Sequence, residues 1–372
     1  AVIRYLDWRS FGLLFSFPFL AFRAFLVGIT NTKALSGAAL TAVCINMPFN
    51  YLLIFKLDMG ISGAAMASSI AEFGAFLILL LYMCKTVDKK KYGVVYTPDK
   101  LAEFTAELLY GEYGIERDDK MTILDPACGE SALLLAMKEK STGTNRYIGI
   151  DIDEDIINVN IINNGEDINY FYGDFLIQSG ENSTLDFWLK KIGQVDCVIA
   201  NPPWSSERLY KKEVLSREGF ILADGQYDNY FLFIEQSLKI LKMSGKAAFI
   251  LPDSIFSDDA IRLRKLLCEK THIFVIARLG EKIFPNVNRA TTVIIVGNEL
   301  PTDDTRTKCF RLGTKERKKF LNNEINLMDC YLTSVHEVKQ SRFSETEECL
   351  FDIDLYEVEE NLITKLEQDK IN

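Results

Sequence analysis

The hydrophobic pattern changes character once along the chain. Up to about residue 83 it is long and nearly unbroken: three apolar stretches, roughly 10–30, 36–56 and 61–83, each reach the twenty or so residues that a helix needs to cross a bilayer. From Gly93 onward the apolar runs shorten to strand length and alternate with amphipathic segments, the signature of a layered α/β sheet. These runs predict strands at 121–125, 146–151, 168–172, 195–200, 246–251, 272–279 and 291–297, with helices between most of them, including 99–110 and 132–138.

In the front part, the small residues Gly37, Ala38, Ala39, Gly63, Ala64, Ala65, Ala67 and Ser68 suit close contact between helices in a membrane bundle. Lys85, Lys89, Lys90 and Lys91 follow the third stretch, and the positive-inside tendency places that end in the cytoplasm. The turn at 30–33 is then also cytoplasmic and the turn at 57–60 faces outward. Glu72 in mid-span demands an inward-facing partner or cavity, because an ionisable group in lipid is costly. A buried soluble hairpin is the competing reading, but three such runs rarely follow one another inside a soluble domain. The runs RAFLVGITNTK (23–33), NYLLIF (50–55) and GISGAAMASSIAE (60–72) resemble part of a multidrug and toxic compound extrusion transporter. The resemblance implies the fourth to sixth of that family's twelve spans, ending in the cytoplasm. Three spans cannot enclose a two-lobed pathway and the chain opens without methionine, so the segment reads as a remnant or a join, and no transport is expected.

Charge separates the two parts as well. Residues up to 92 hold nine of the 42 basic side chains and four of the 52 acidic ones, so everything after is net acidic. A general positive field for nucleic acid is therefore absent, and any DNA contact must be local. The eight cysteines include no CxxC pair and no secretory signal precedes them, which predicts reduced thiols in a cytosolic compartment. With only His272 and His336, a Ser/His/Asp triad or a histidine-built metal site has almost nothing to draw on, and no metal is expected.

The strand expected at 121–125 runs into Asp125 and a turn of small residues, DPACGES (125–131). Such a turn lets backbone approach a ligand at the carboxyl edge of a sheet. About 25 residues on, a second strand ends at Asp151, whose carboxylate can accept both hydroxyls of a ribose. The strand at 195–200 leads directly into Asn201-Pro202-Pro203-Trp204. DPACGES, GIDID (149–153), GDF (173–175) and VYTP (95–98), together with NPPW, resemble the amino-group DNA methyltransferases in which the cofactor motifs precede the catalytic motif. The resemblance covers about residues 93–300 and implies a Rossmann-like, S-adenosylmethionine-dependent α/β sheet. By that correspondence Thr97 and Asp125 hold the methionine part of the cofactor, Asp151 the ribose, Asp174 the adenine amine, and Ile152 lies against the adenine ring. Pro98, Ala127, Gly129, Phe175, Asn201 and Phe233 complete the cofactor set. Ser131 departs from the family, which often has a second glycine there, and its Cβ is expected to narrow the turn.

NPPW suits adenine methylation for a geometric reason. The N6 lone pair is delocalised into the ring, so the amine attacks poorly until acceptors hold its two N–H groups. The Asn201 side-chain oxygen and the Pro202 carbonyl can supply them. Pro202 and Pro203 have fixed φ and no competing N–H, so the carbonyl is rigidly aimed. Trp204 offers a flat face for a base that has left the duplex. GEKIFPNVNRATTVII (280–295) resembles the family's later motif with a second stacking aromatic, which implies Phe284; a core phenylalanine is the blander reading. GQYDNYFLFIEQSL (225–238) and GKAAFILPDSIF (245–256) resemble the motifs between.

Arg306, Lys308, Arg311, Lys315, Arg317, Lys318 and Lys319 form the most basic stretch, interleaved with Phe310 and Phe320. Lys315, Arg317 and Lys318, with Lys211 and Lys212 past Trp204, are candidate phosphate contacts; a solvated charged loop is the competing reading. The expected organisation is a three-helix membrane segment at 1–86, a basic linker at 87–92, a catalytic domain at 93–300 and a partial recognition region at 301–372. The expected partners are double-stranded DNA with a flipped adenine, a cognate restriction endonuclease or specificity subunit, and a membrane through residues 10–83, with the catalytic domain in the cytoplasm. A methyltransferase acting on protein glutamine or RNA is the nearest alternative, though such enzymes favour NPPY and a DLGTGSG-like first motif. A catalytically inactive, membrane-tethered binding protein is the other.

Overall fold

The computed structural model describes residues 2–28, 33–91, 96–111, 120–178, 180, 183–205, 209–285, 289–354 and 356. The expected turn residues 30–32, Val95 of the VYTP run and the chain after 356 lie outside them. The chain forms two compact units, Ala1–Lys91 and Tyr92–Asn372.

The first unit is helical: α1 (Val2–Gly28), α2 (Lys33–Asn50) continuing as a π-helical turn (Tyr51–Lys56), and α3 (Gly60–Lys91). Asp58 (φ 49°) and Gly60 (φ 52°) reverse the chain between the last two. Ala38, Ala65, Ala67, Ala71 and Ala75 are buried, as small residues at helix contacts should be. A Cβ on Gly12 would fall 2.8 Å from Ser69 Oγ and 2.9 Å from Glu72 Oε2, so glycine is what lets α1 approach α3 here. Glu72 has inward partners: Arg9 pairs with it, and Ser16 Oγ donates to Oε2 at 2.7 Å. Among the described residues two helices, Gly37–Lys56 and Gly60–Tyr82, are long and apolar enough to cross a membrane. The first expected span, 10–30, is helical through Gly28 and ends outside the described residues. Of the linker expected at 87–92, the part up to Lys91 continues α3, since this lysine-rich stretch holds neither glycine nor proline to stop it, and residue 92 lies outside the described residues.

The second unit is built on one nine-stranded sheet. Its strands are β1 (Thr122–Asp125), β2 (Arg146–Asp151), β3 (Ile168–Tyr172), β4 (Val195–Ala200), β5 (Leu241–Pro252), β6 (His272–Gly280), β7 (Thr291–Gly297), β8 (Arg306–Arg311) and β9 (His336–Lys339). They lie in the order β3-β2-β1-β4-β5-β7-β6-β8-β9, parallel except β7 and β9. Alternate side chains of each strand feed opposite faces. Leu124, Ile148, Val198, Phe249 and Ile294 face one buried cluster; Ile123, Tyr147, Ile199, Ile250 and Val293 face the other. Apolar residues of α4 (Asp99–Gly111) and α5 (Ala132–Lys140) belong to the second cluster, with α6 (Glu154–Asn164) adding Ile157. The helices α7 (Thr184–Ile192), α8 (Lys212–Arg217), α9 (Asn229–Ile240) and α10 (Ile261–Lys270) feed the first, and α11 (Thr314–Leu321) and α12 (Leu327–Ser334) the second. A sheet covered on both faces is the reason its strands read as continuous apolar runs.

The boundary expected at 300 is not where the sheet ends. Arg306–Arg311 is a strand whose Thr307, Cys309 and Phe310 are buried while Arg306 and Arg311 stay exposed, and β9 pairs with it. The basic stretch, for which a charged loop was one reading, is therefore a strand next to the edge strand β9, followed by α11.

Candidate functional site

Strand order reverses between β1 and β4, and the crevice over the carboxyl ends at such a point is where open α/β sheets bind ligands. One cleft there is lined by Thr97, Asp125, Ala127, Gly129, Asp151, Ile152, Asp174, Phe175, Asn201, Pro203 and Phe233. Pro98 stands beside them at the start of α4, where its carbonyl accepts from the Leu101 and Ala102 amides.

The turn after β1 is folded by its own backbone donors. Ala127 N–H donates to Asp125 Oδ1 at 3.1 Å, and Cys128 N–H donates to the Ile150 carbonyl at 2.9 Å, tying the turn to β2. Gly129 takes φ 47° and donates its N–H to Asp151 Oδ2 at 2.8 Å, while its carbonyl accepts from Asn160 Nδ2 at 2.7 Å. Ser131, at φ 67° and ψ 18°, also occupies the left-handed region, which suits glycine. Its side chain is buried and is not among those lining the cleft, so the expectation that its Cβ narrows the binding turn is corrected. The cost of Ser131 is conformational. Ser131→Gly is expected to stabilise the unit by about 1 kcal/mol, the usual left-handed cost less the entropy of an added glycine, and to raise the thermal midpoint by roughly 2 °C in a melting scan.

Of the four carboxylates that line the cleft, Glu130 is exposed and three aspartates are held by the turns around it. Asp151 accepts from Gly129 and, at 2.9 Å, from Asp153 N–H. Asp174 Oδ1 accepts from the Leu176 and Ile177 amides at 2.8 and 3.2 Å, and its Oδ2 accepts from the Tyr210 hydroxyl at 2.7 Å. Burial raises the pKa of Asp151 and of Asp174, opposed in each case by these donors. Asp125 is pushed up to about 8, first by burial and further by the neighbouring Asp151, against the Ala127 amide. A raised folded-state pKa means the folded chain binds the extra proton. The stability it confers is full below the unfolded aspartate pKa of about 4 and is lost as pH rises through about 8. Melting midpoints of the ligand-free protein should therefore fall from pH 5 to pH 8, and Asp125→Asn should flatten that slope.

Asn201 stands where β4 ends, and its Nδ2 donates to Thr97 Oγ1 at 3.1 Å, leaving Oδ1 as the end of the amide turned away from Thr97. Pro202 is buried behind it. The expected stacking pair is packed together in this structure. Trp204 and Phe284 are both in the core, at 5 % and 2 % exposure, with their rings edge to face at 5.0 Å and 82°. Trp204 Nε1 also donates to the Ile250 carbonyl at 3.2 Å. No gap for a base separates two rings in edge contact, because each fills the apolar space beside the other. The blander reading of Phe284 describes this arrangement.

The candidate phosphate contacts scatter. Lys211 is exposed ahead of α8, and Lys212 pairs with Asp224 at 2.9 Å, a surface pair of little strength. Lys315 and Lys318 are exposed on α11. Arg317 lies over Gly280, where a Cβ would collide with its guanidinium, so it sits at the carboxyl end of β6 beside the segment bearing Phe284. The sequence reading missed Tyr210, Asn229 and Arg289. Asn229 lines the cleft and its N–H donates to the Ser205 carbonyl at 2.8 Å; Arg289 Nη1 donates to the Trp204 carbonyl at 3.0 Å. Neither an aromatic nine residues past Asn201 nor an arginine 85 residues past Trp204 carries a spacing signal.

Comparison with known proteins follows the same geometry. The family model described as N-6 DNA Methylase matches residues 69–365. The chain belongs to the N-6 DNA methylase family. Its match to this N-6 DNA methylase model begins within α3, ahead of the sheet. Among curated relatives, the type II restriction enzyme and methyltransferase RM.Eco57I of Escherichia coli is 31% identical over 201 residues, covering 50% of this chain and 19% of that protein. The type II methyltransferase M.BanIII of Aneurinibacillus aneurinilyticus is 29% identical over 215 residues, covering 53% and 37%. The chain thus matches well under half of the length of either relative. A solved type I restriction-modification methyltransferase subunit from Streptococcus thermophilus shares the fold with a TM-score of 0.55 at 20% identity, over 81% of this chain and 68% of that one.

Proposed function

We propose that this chain transfers a methyl group from S-adenosylmethionine to the N6 amine of adenine in DNA, as the modification activity of a restriction system. The observation that carries the proposal is the sharing of one cleft by Asn201, held by Thr97, and the acids at the ends of β1, β2 and β3. The family match and the restriction-modification names of the relatives support it.

The residues fit this cofactor. Asp125 and Thr97 would face the methionine part, Asp151 the ribose hydroxyls, Asp174 the adenine amine, with Ile152, Phe175 and Phe233 as apolar walls. When bound, S-adenosylmethionine supplies a methyl group activated by sulfonium charge. Asn201 Oδ1 and the Pro202 carbonyl then hold the target amine through its two hydrogens, so catalysis rests on positioning rather than on a general base. For a base to stack here, Trp204 and Phe284 must part, and the adenine must leave its duplex. Lys211, Lys315, Arg317 and Lys318 would grip phosphates, and a restriction or specificity subunit would supply target recognition.

We further read the N-terminal helices as a membrane segment, on the strength of two long apolar helices and the internally paired Glu72, leaving the catalytic unit in the cytoplasm. Recovery of the full chain in the soluble fraction after alkaline carbonate washing would contradict this. The catalytic proposal is tested by incubating the full chain with radiolabelled cofactor and, separately, unmethylated DNA, RNA and a glutamine-bearing release-factor peptide. Label should enter DNA alone; label in RNA or peptide instead would overturn the substrate assignment.

A further inference from the structure

Asp174 is held more firmly than a ligand-facing carboxylate needs to be for its own turn. Its Oδ1 accepts two amides of that turn, from Leu176 and Ile177. Its Oδ2 accepts the hydroxyl of Tyr210, which arrives from a different part of the chain, 36 residues on, at 2.7 Å. Both Asp174 and Tyr210 line the cleft, together with Leu209. A carboxylate oxygen has two lone-pair positions. Oδ1 is therefore saturated by the turn, and Oδ2 has one acceptor position left after Tyr210 has taken the other. The tyrosine hydroxyl thereby fixes the direction from which a further donor can approach.

We propose that Tyr210 is the positioning residue that makes the Asp174 subsite selective for a 6-amino purine over a 6-oxo purine. The inference rests on the reading of Asp174 as the acceptor for the cofactor's adenine amine. A carboxylate that can only accept favours an N–H donor and repels a carbonyl oxygen. Tyr210 keeps the group in that state: burial pushes the Asp174 carboxyl up, and the tyrosine hydroxyl is the foremost influence holding it down. Without that hydroxyl the carboxyl is more readily protonated, and a protonated carboxyl can donate to a 6-oxo group. Tyr210 also lies on the stretch that leaves Asn201, so the acceptor for the target amine and the support of the cofactor's purine subsite share one strand exit.

The test is calorimetric binding of S-adenosylhomocysteine and of S-inosylhomocysteine, its 6-oxo counterpart, to the full chain, in wild type, Tyr210→Phe, Asp174→Asn and the double variant. Phenylalanine keeps the ring and its packing, and removes only the hydroxyl. Wild type should prefer the 6-amino compound. Tyr210→Phe should cut that preference by about ten-fold, the ordinary weight of one hydrogen bond to a charged group. Its turnover at saturating S-adenosylmethionine should stay within about three-fold of wild type, the loss appearing in KM. In the Asp174→Asn background the tyrosine substitution should change nothing further, because the two act through one interaction. An unchanged preference in Tyr210→Phe, or a further loss in the double variant, overturns the role of Tyr210 alone. A wild-type chain that binds neither compound overturns the cofactor reading and this inference with it.

Discussion

Asn201→Ala is expected to lower methyl transfer by ~100-fold or more while leaving cofactor affinity within a few-fold of wild type, as judged by turnover on unmethylated DNA and by calorimetry. The magnitude is that of removing one pre-organised hydrogen-bonding group from a polar site where charge develops. The separation between the two readouts follows from placement. Asn201 leaves β4 with Nδ2 bonded to Thr97, whereas the acids proposed to hold the cofactor come from β1, β2 and the turn after β3. An alanine takes away the acceptor and leaves those acids standing. Thr97→Val belongs to the same account, because losing Oγ1 removes one bond that orients the amide; it should fall between wild type and Asn201→Ala.

The largest effect on stability is expected at Arg264, far from this chemistry. Its guanidinium is buried in α10 and, among the described residues, its hydrogen-bond partners are carbonyls. Nη1 donates to the Ile255 and Ser257 carbonyls at 2.7 and 2.6 Å, Nε to Cys349 at 2.9 Å, and Nη2 to Glu348 at 2.9 Å. One side chain thus ties the helical turn after β5 to the segment near residue 349. Arg264→Met fills much of the volume but takes the donor from two buried carbonyls, Ile255 and Cys349, and two part-buried ones, Ser257 and Glu348. At about 1 kcal/mol or more for each, the cost is about 4 kcal/mol, or roughly a 10 °C fall in thermal midpoint. A fall of under about 2 °C would mean that the segment is held by its apolar contacts, Phe351 and Ile353 among them.

What the sequence disclosed and what it concealed follow from physical causes. β1 to β7 were legible because a sheet covered on both faces writes apolar runs into the chain. The turn at Gly129 was legible because its backbone conformation selects glycine. β8 was hidden by its own charges: Arg306, Lys308 and Arg311 suggested a charged loop, although Thr307, Cys309 and Phe310 between them are buried. Trp204 and Phe284 were legible as aromatics of the site region, but whether two rings face a gap or each other depends on packing that no local pattern records. Tyr210 was illegible for a related reason, since its partner Asp174 lies 36 residues away on another part of the sheet edge.

Arg289 adds a constraint on how the site opens. It joins the Trp204 carbonyl to the segment that follows Phe284, tying the backbone at one ring to the chain beyond the other.

The central claim, that Asn201 and Pro202 grip an adenine amine, is tested most directly by nucleoside mass spectrometry of DNA from a methylation-deficient host expressing the full chain, beside the Asn201→Ala variant. The account predicts N6-methyldeoxyadenosine with wild type and its loss with the variant. N4-methyldeoxycytidine in its place, or N6-methyldeoxyadenosine at equal levels in both, would contradict it.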